Sequence, residues 1–230
     1  MFKITILLGI VGMVAVLHTT KKSMFRDGSM IFAALIIMYL FSLDGFVSKV
    51  EGIILILIYI GYLIYLSKVE KIKNHSQIRK ENPLLDLLVI AIGIAIIIYA
   101  AKFVVENGVI IAEELNIIGA FIGIFIGIGT SLPELSVSLK AVIKQSHHLS
   151  LGNIIGSNIT DPLLSFGSGA AISGFVVGKT ALIYYFPFWI FATLIALLML
   201  FNHMNLNKKE GAVLVLIYLL FMYLSFVVLQ

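Results

Sequence analysis

Cysteine is missing from the sequence, which excludes disulfides and thiolate–metal sites. Charge is also scarce: Asp, Glu, Lys and Arg make up 12% of the 230 residues, where soluble domains carry about a quarter. There are four prolines and one tryptophan. What fills the chain instead is apolar: 60% hydrophobic residues and a mean hydropathy of +1.10. A soluble core of this size could not hide that much apolar surface. The chain is therefore expected to be an all-α integral membrane protein with the lipid bilayer as its solvent. The net charge of +4 is spread over short loops rather than one face, which argues against a nucleic-acid partner.

Eight apolar segments follow one another: Ile4–Leu17, Met30–Leu43, Gly52–Leu66, Leu84–Val105, Asn116–Leu139, Leu149–Val177, Thr180–His203 and Gly211–Leu229. A spanning helix wants about 20 apolar residues, so the first two must recruit flanking polar residues or tilt little. Lys3 before an apolar run resembles a signal peptide. No A-x-A-like site follows at His18-Thr19-Thr20-Lys21, so the first segment is read as a retained helix. Alternate loops hold twelve basic residues against three, the richer set including Lys21, Lys22, Arg26, Lys68 and Lys208. The positive-inside rule then predicts a multi-pass cell-membrane protein with both termini outside and a cytoplasmic linker at residues 67–82. That linker divides three helices (residues 1–66) from five (residues 83–230).

An internal repeat is visible at an offset of 159 residues. Ile31–Ile36 (IFAALI) falls on Ile190–Ile195 (IFATLI). Lys49, Glu51, Gly52, Leu55, Leu57, Ile58 and Tyr59 fall on Lys208, Glu210, Gly211, Leu214, Leu216, Ile217 and Tyr218. The two copies start on opposite sides of the membrane, which predicts a duplication of inverted topology. With one residue of slippage Met1–Gly9 falls on Ile159–Gly167, so Lys3 falls on Asp161. Counterparts of Gly127–Asn158 would then precede Met1. The predicted fold is an N-terminally truncated 5+5 inverted repeat.

The chemistry concentrates in Gly119–Gly169. Glu134 is the only charge between Leu115 and Leu139, and Asp161 the only one between Gln145 and Gly178. A charged side chain deep in a spanning helix costs roughly 2.5–3.5 kcal/mol and is a functional-site hypothesis by default. Pro133 is expected to interrupt its helix near Gly129 and free carbonyls around Gly127–Thr130. Pro162 is expected to bias Asp161 away from helical geometry. Thr130, Ser131 and Glu134 offer oxygens on one segment. Ser157, Asn158 and Asp161 offer them on the next, with Ser157 and Asp161 four apart on one face. All are hard oxygen ligands, which suits Na⁺ or Ca²⁺ rather than zinc or copper. Gly152 and Gly156, four apart, read as a small-residue packing surface.

Gly129–Leu135 (GTSLPEL) with Gly152–Asp161 (GNIIGSNITD) resembles the second α-repeat of the sodium/calcium exchangers, in the calcium/cation antiporter superfamily. The resemblance makes segments one to eight look like helices three to ten of that fold. It implies ion ligands at Thr130, Ser131, Glu134, Ser157 and Asp161, with Asn158 supporting. It implies a Ca²⁺/Na⁺ antiporter, not an enzyme, with the ions as cargo and no cofactor. The first α-repeat and its glutamate are absent, so a missing N-terminal segment, in cis or in trans, is an expected partner. Lys3 stands where the family commonly has Asn or Asp. It is expected to enter the site opposite Asp161 and stand in for a monovalent cation. Two alternatives stay open: the same fold coupled to H⁺ or K⁺, and a truncated, non-transporting membrane scaffold.

Overall fold

The computed structural model describes residues 1–69, 83–114, 126–127 and 129–228. Most of the expected 67–82 linker and the first half of the fifth apolar segment lie outside them. Two compact units emerge. One joins Met1–Leu66 to Pro133–Val228, and the other is Ser67–Leu132.

In the first unit the chain opens with a π turn, Lys3–Leu7, that runs into α1 (Leu8–Val14). Ile4, Leu7, Leu8 and Val11 are fully buried, so this short segment sits inside the unit and not on its surface. The next helix, α2 (Lys21–Ser42), begins nine residues before its apolar stretch. The Thr20 hydroxyl caps it, accepting from Ser23 N at 3.2 Å. The polar turns Lys21–Ser29 bring the helix to 22 residues, about 33 Å at 1.5 Å per residue and enough to cross a bilayer. This is the recruitment of flanking polar residues that the short apolar run demanded. Helix α3 (Lys49–Val69) is apolar on every side, and among its described residues only Gly52 and Leu55 are buried. A helix of this kind faces lipid. Among the described residues three helical stretches are long and apolar enough to cross a membrane: Lys21–Ser42, Lys49–Val69 and Ala181–Asn202.

The second unit holds α4 (Pro83–Glu114), which starts on a proline, where the missing N–H is not needed. Beyond it, α5 (Leu132–Ile143) and α6 (His147–Thr160) run into a second π turn, Asp161–Ser165, and then α7 (Phe166–Ser173). Asp161 is helical, with φ −59° and ψ −54°. The expectation that Pro162 would push it out of helical geometry is therefore corrected. A π turn already breaks the i→i−4 pattern, so the absent N–H of Pro162 is absorbed without unwinding the backbone. A third π turn (Ala181–Tyr185), α8 (Phe186–His203) and α9 (Lys208–Val228) complete the first unit.

Four two-residue strands tie the loops of this unit together. β1 (Leu17–His18) pairs antiparallel with β4 (Asn205–Leu206), and β2 (Phe46–Val47) with β3 (Phe175–Val176). Shifting by 158 or 159 residues carries β1 onto β3 and β2 onto β4, so the two pairs exchange. The glycines obey the same shift. A Cβ on Gly9 would meet the Gly211 carbonyl oxygen at 2.7 Å, and one on Gly52 would meet that of Gly167 at 2.6 Å. The helix starts match too. Ser48 N donates to Glu51 Oε2 at 2.8 Å ahead of α3, and Asn207 N to Glu210 Oε2 at 2.9 Å ahead of α9. Each is a reciprocal cap that satisfies N–H groups left over at a helix start. The acidic positions of the repeat, Glu51 and Glu210, are thus held by capping.

Candidate functional site

Glu134 lies in the first turn of α5, directly after Pro133. Its helix is held to α6 by Asn153, whose amide donates to the Glu134 carbonyl oxygen at 3.2 Å and to Ser138 Oγ at 2.9 Å. Sequence reasoning passed over Asn153, although it belongs to the same GNIIGSN stretch. One side chain fixing two oxygens on a neighbouring helix makes it a positioning residue for Glu134. Asn153→Leu should cost about 1–3 kcal/mol, because it leaves the Ser138 hydroxyl and a carbonyl without their donor. Thermal unfolding in detergent would read that loss.

Glu134 and Asp161 face each other across a cavity of about 490 Å³. Ser157, Thr160, Ser165, Asn153, Gly152, Gly156 and Lys3 complete its lining. Thr160 is braced from a third helix: Tyr59 Oη lies 3.1 Å from its hydroxyl. Among the described residues nothing comes within 4 Å of a Cβ built on Gly152 or Gly156. Both glycines line the cavity, where their missing side chains leave it open.

Lys3 reaches into this space from the first π turn. Its Nζ lies 2.9 Å from Glu134 Oε1 and 3.0 Å from Asp161, bridging the two carboxylates. The Lys3 side chain is 11% exposed, against 27% for Glu134 and 35% for Asp161. The other carboxylate oxygen, Glu134 Oε2, is buried and meets no hydrogen-bond donor among the described residues. A buried anionic oxygen without a donor is costly unless a cation can approach it.

The remaining sequence-predicted residues divide. Ser157 lines the cavity while its hydroxyl donates to the Ile154 carbonyl at 3.0 Å. Asn158 is turned into the core, 3% exposed, its amide donating to the same carbonyl at 2.8 Å. That suits a supporting role and not a lining one. Thr130 and Ser131 belong to the second unit. Their hydroxyls donate to the Gly127 carbonyl at 3.2 Å and 2.8 Å. The helix breaks at Ser131, two residues later than expected, and these hydroxyls take up a carbonyl of the interrupted turn. Among the described residues no group of three or more His, Cys, Asp or Glu side chains comes together.

A family model described as sodium/calcium exchanger protein matches residues 1–68 and 85–227. The chain belongs to the sodium/calcium exchanger family. Members of this family are multi-pass membrane transporters and not enzymes. Among curated relatives, the sodium/calcium exchanger MaX1 of Methanosarcina acetivorans is 33% identical over 142 residues, which is 61% of this chain and 41% of that one. The putative antiporter CaxA of Alkalimonas amylolytica is 28% identical over 240 residues, covering 97% of this chain and 75% of its own. The chain thus matches well under half the length of the first relative. A solved structure of the sodium-calcium exchanger NCX_Mj superposes with a TM-score of 0.72 at 24% identity, covering 96% of this chain and 73% of that one. At that identity the likeness speaks for the fold.

Proposed function

We propose that this chain carries the second ion-binding repeat of a secondary cation antiporter that exchanges Ca²⁺ for Na⁺ by alternating access around the Glu134–Asp161 cavity. The observation that carries the reading is the pair of carboxylates from apolar segments converging on one cavity, with Glu134 Oε2 free of any donor among the described residues. Glu134 and Asp161 supply the charge, and Ser157 a neutral oxygen, with Asn158 behind it. Thr130 and Ser131 enter on their place in the GTSLPEL motif. Of this set only Glu134, Asp161 and Ser157 line the cavity, with five side-chain oxygens between them, fewer than the 6–8 that Ca²⁺ takes. The proposal assigns the rest to an inverted counterpart of the motif, supplied in cis or in trans. Support for the inverted relation comes from the exchanging strand pairs and the matched glycine crossings. In this reading residues 1–66 are the remainder of the first repeat, 67–82 a cytoplasmic linker and 83–230 the second repeat, with both termini outside.

The hydroxyl-rich set favours Na⁺ as the coupling ion, because it offers neutral oxygens to a monovalent cation. The test is Ca²⁺ uptake into proteoliposomes under imposed Na⁺, K⁺ or pH gradients, with the chain alone and with an inverted repeat from a relative co-reconstituted. Uptake driven by an outward Na⁺ gradient, and only with the counterpart present, is the expected result. Uptake following a pH or K⁺ gradient would move the assignment to those ions. No ion movement under any condition would leave the scaffold reading standing.

A further inference from the structure

We propose that Lys3 is a tethered cation occupying the position of cargo, and so sets the charge preference of the site. The proposal rests on the cation-site reading above and goes beyond it. Glu134 and Asp161 bring two negative charges to the cavity, and the Lys3 ammonium, bridging both at 2.9 Å and 3.0 Å, cancels one of them. A Ca²⁺ ion on the same oxygens, at about 2.3–2.6 Å, would lie in steric and electrostatic conflict with that ammonium. Ammonium and divalent ion therefore exclude one another.

The tether is fixed at its root, and only its stem can move. Lys3 opens a π turn whose next residues, Ile4 and Thr5, are fully buried, with Leu7 buried further on, so the backbone cannot withdraw. The four-carbon stem can, since a lysine ammonium is a point charge on a flexible chain. Cargo binding then requires the stem to swing out of the cavity. With the stem in place the site presents a net charge of minus one and is matched to a monovalent ion. The resident ammonium takes the place of one transported monovalent ion, and a divalent ion binds at a handicap.

Equilibrium binding of radioactive Ca²⁺ to the full purified chain in detergent tests this, comparing the parent with Lys3→Gln, Lys3→Met and Lys3→Arg. Removing a like charge a few ångströms from the bound ion should tighten Ca²⁺ binding at least about ten-fold in Lys3→Gln and Lys3→Met. Lys3→Arg keeps the charge and should stay within about two-fold of the parent. A purely structural Lys3 would instead loosen binding in Gln and Met alike, and that result overturns the proposal. Lys3→Gln keeps a polar tip, on a side chain one atom shorter, and serves if Lys3→Met fails to fold; size-exclusion profiles distinguish the two cases. Ca²⁺ binding by the parent that is lost in Glu134→Gln but unchanged in Lys3→Gln removes the tether and leaves the site standing. Absence of Ca²⁺ binding in the parent and in every Lys3 variant removes both.

Discussion

Glu134→Gln should abolish measurable Ca²⁺ binding while the protein still folds. The substitution keeps the volume and the α5 helix start, and its amide oxygen can still accept from Lys3. What it removes is a charge whose Oε2 is the one buried anionic oxygen among the described residues without a hydrogen-bond partner. Its loss brings the formal charge of the Lys3–Glu134–Asp161 set from minus one to zero. In a partly buried site, with an effective dielectric near 20, one unit charge about 4 Å from an ion is worth about 4 kcal/mol per ionic charge. A fraction of that exceeds the hundred-fold loss that a binding assay reads as none. Asp161→Asn removes the same formal charge, but Asp161 is more exposed, so water screens it better. Its effect should be smaller on Ca²⁺ and larger on competition by Na⁺. Equal losses from both substitutions would mean that the carboxylates share one ion symmetrically. Undiminished Ca²⁺ binding by Glu134→Gln would remove the site assignment.

The membrane class was legible in composition, and the centre of the site was legible in two isolated charges. Burying Glu134 and Asp161 in apolar segments is expensive enough that their positions alone point to a site. Lys3 was legible only through the repeat, since nothing local distinguishes it from a helix-flanking lysine. The slip of one residue that put it opposite Asp161 matches the spacing of the two π turns, Lys3–Leu7 and Asp161–Ser165. Asn153 was missed because a half-buried amide in a small-residue stretch carries no signal of the partner it staples. The four strands were missed because two residues are too few for any alternation. Pro162 misled for a different reason. Its steric rule presumes an α-helical hydrogen-bond ladder, and the local π turn does not have one.

The two kinds of glycine in this chain lead to the other large effect. Gly52→Leu should destroy the fold, whereas Gly156→Leu should spare the fold and block the site. At Gly52 a Cβ would collide with the backbone of Gly167 and Ala171, and at Gly211 with the Gly9 carbonyl oxygen at 2.6 Å. Backbone oxygens in packed helices cannot rotate away, so the helices must separate. Overpacking commonly costs about 1–3 kcal/mol and more where backbone must shift, against a total stability of about 5–15 kcal/mol. Because the repeat uses the same crossing twice, Gly52→Leu and Gly211→Leu should be similarly damaging, with little protein recovered from the membrane. Gly156 has the opposite surroundings: no atom of the described residues lies within 4 Å of its Cβ position, and it borders the cavity that Glu134 and Asp161 share. A leucine there enters a space of about 490 Å³ that is otherwise open to an ion. Gly156→Leu should therefore elute as the parent does in size exclusion, melt within a few degrees of it, and lose Ca²⁺ binding. A Gly156→Leu protein that binds Ca²⁺ like the parent would show that the cavity is not the ion's path. A Gly52→Leu protein that folds normally would show that the close crossing of α3 and α7 does not hold the unit together.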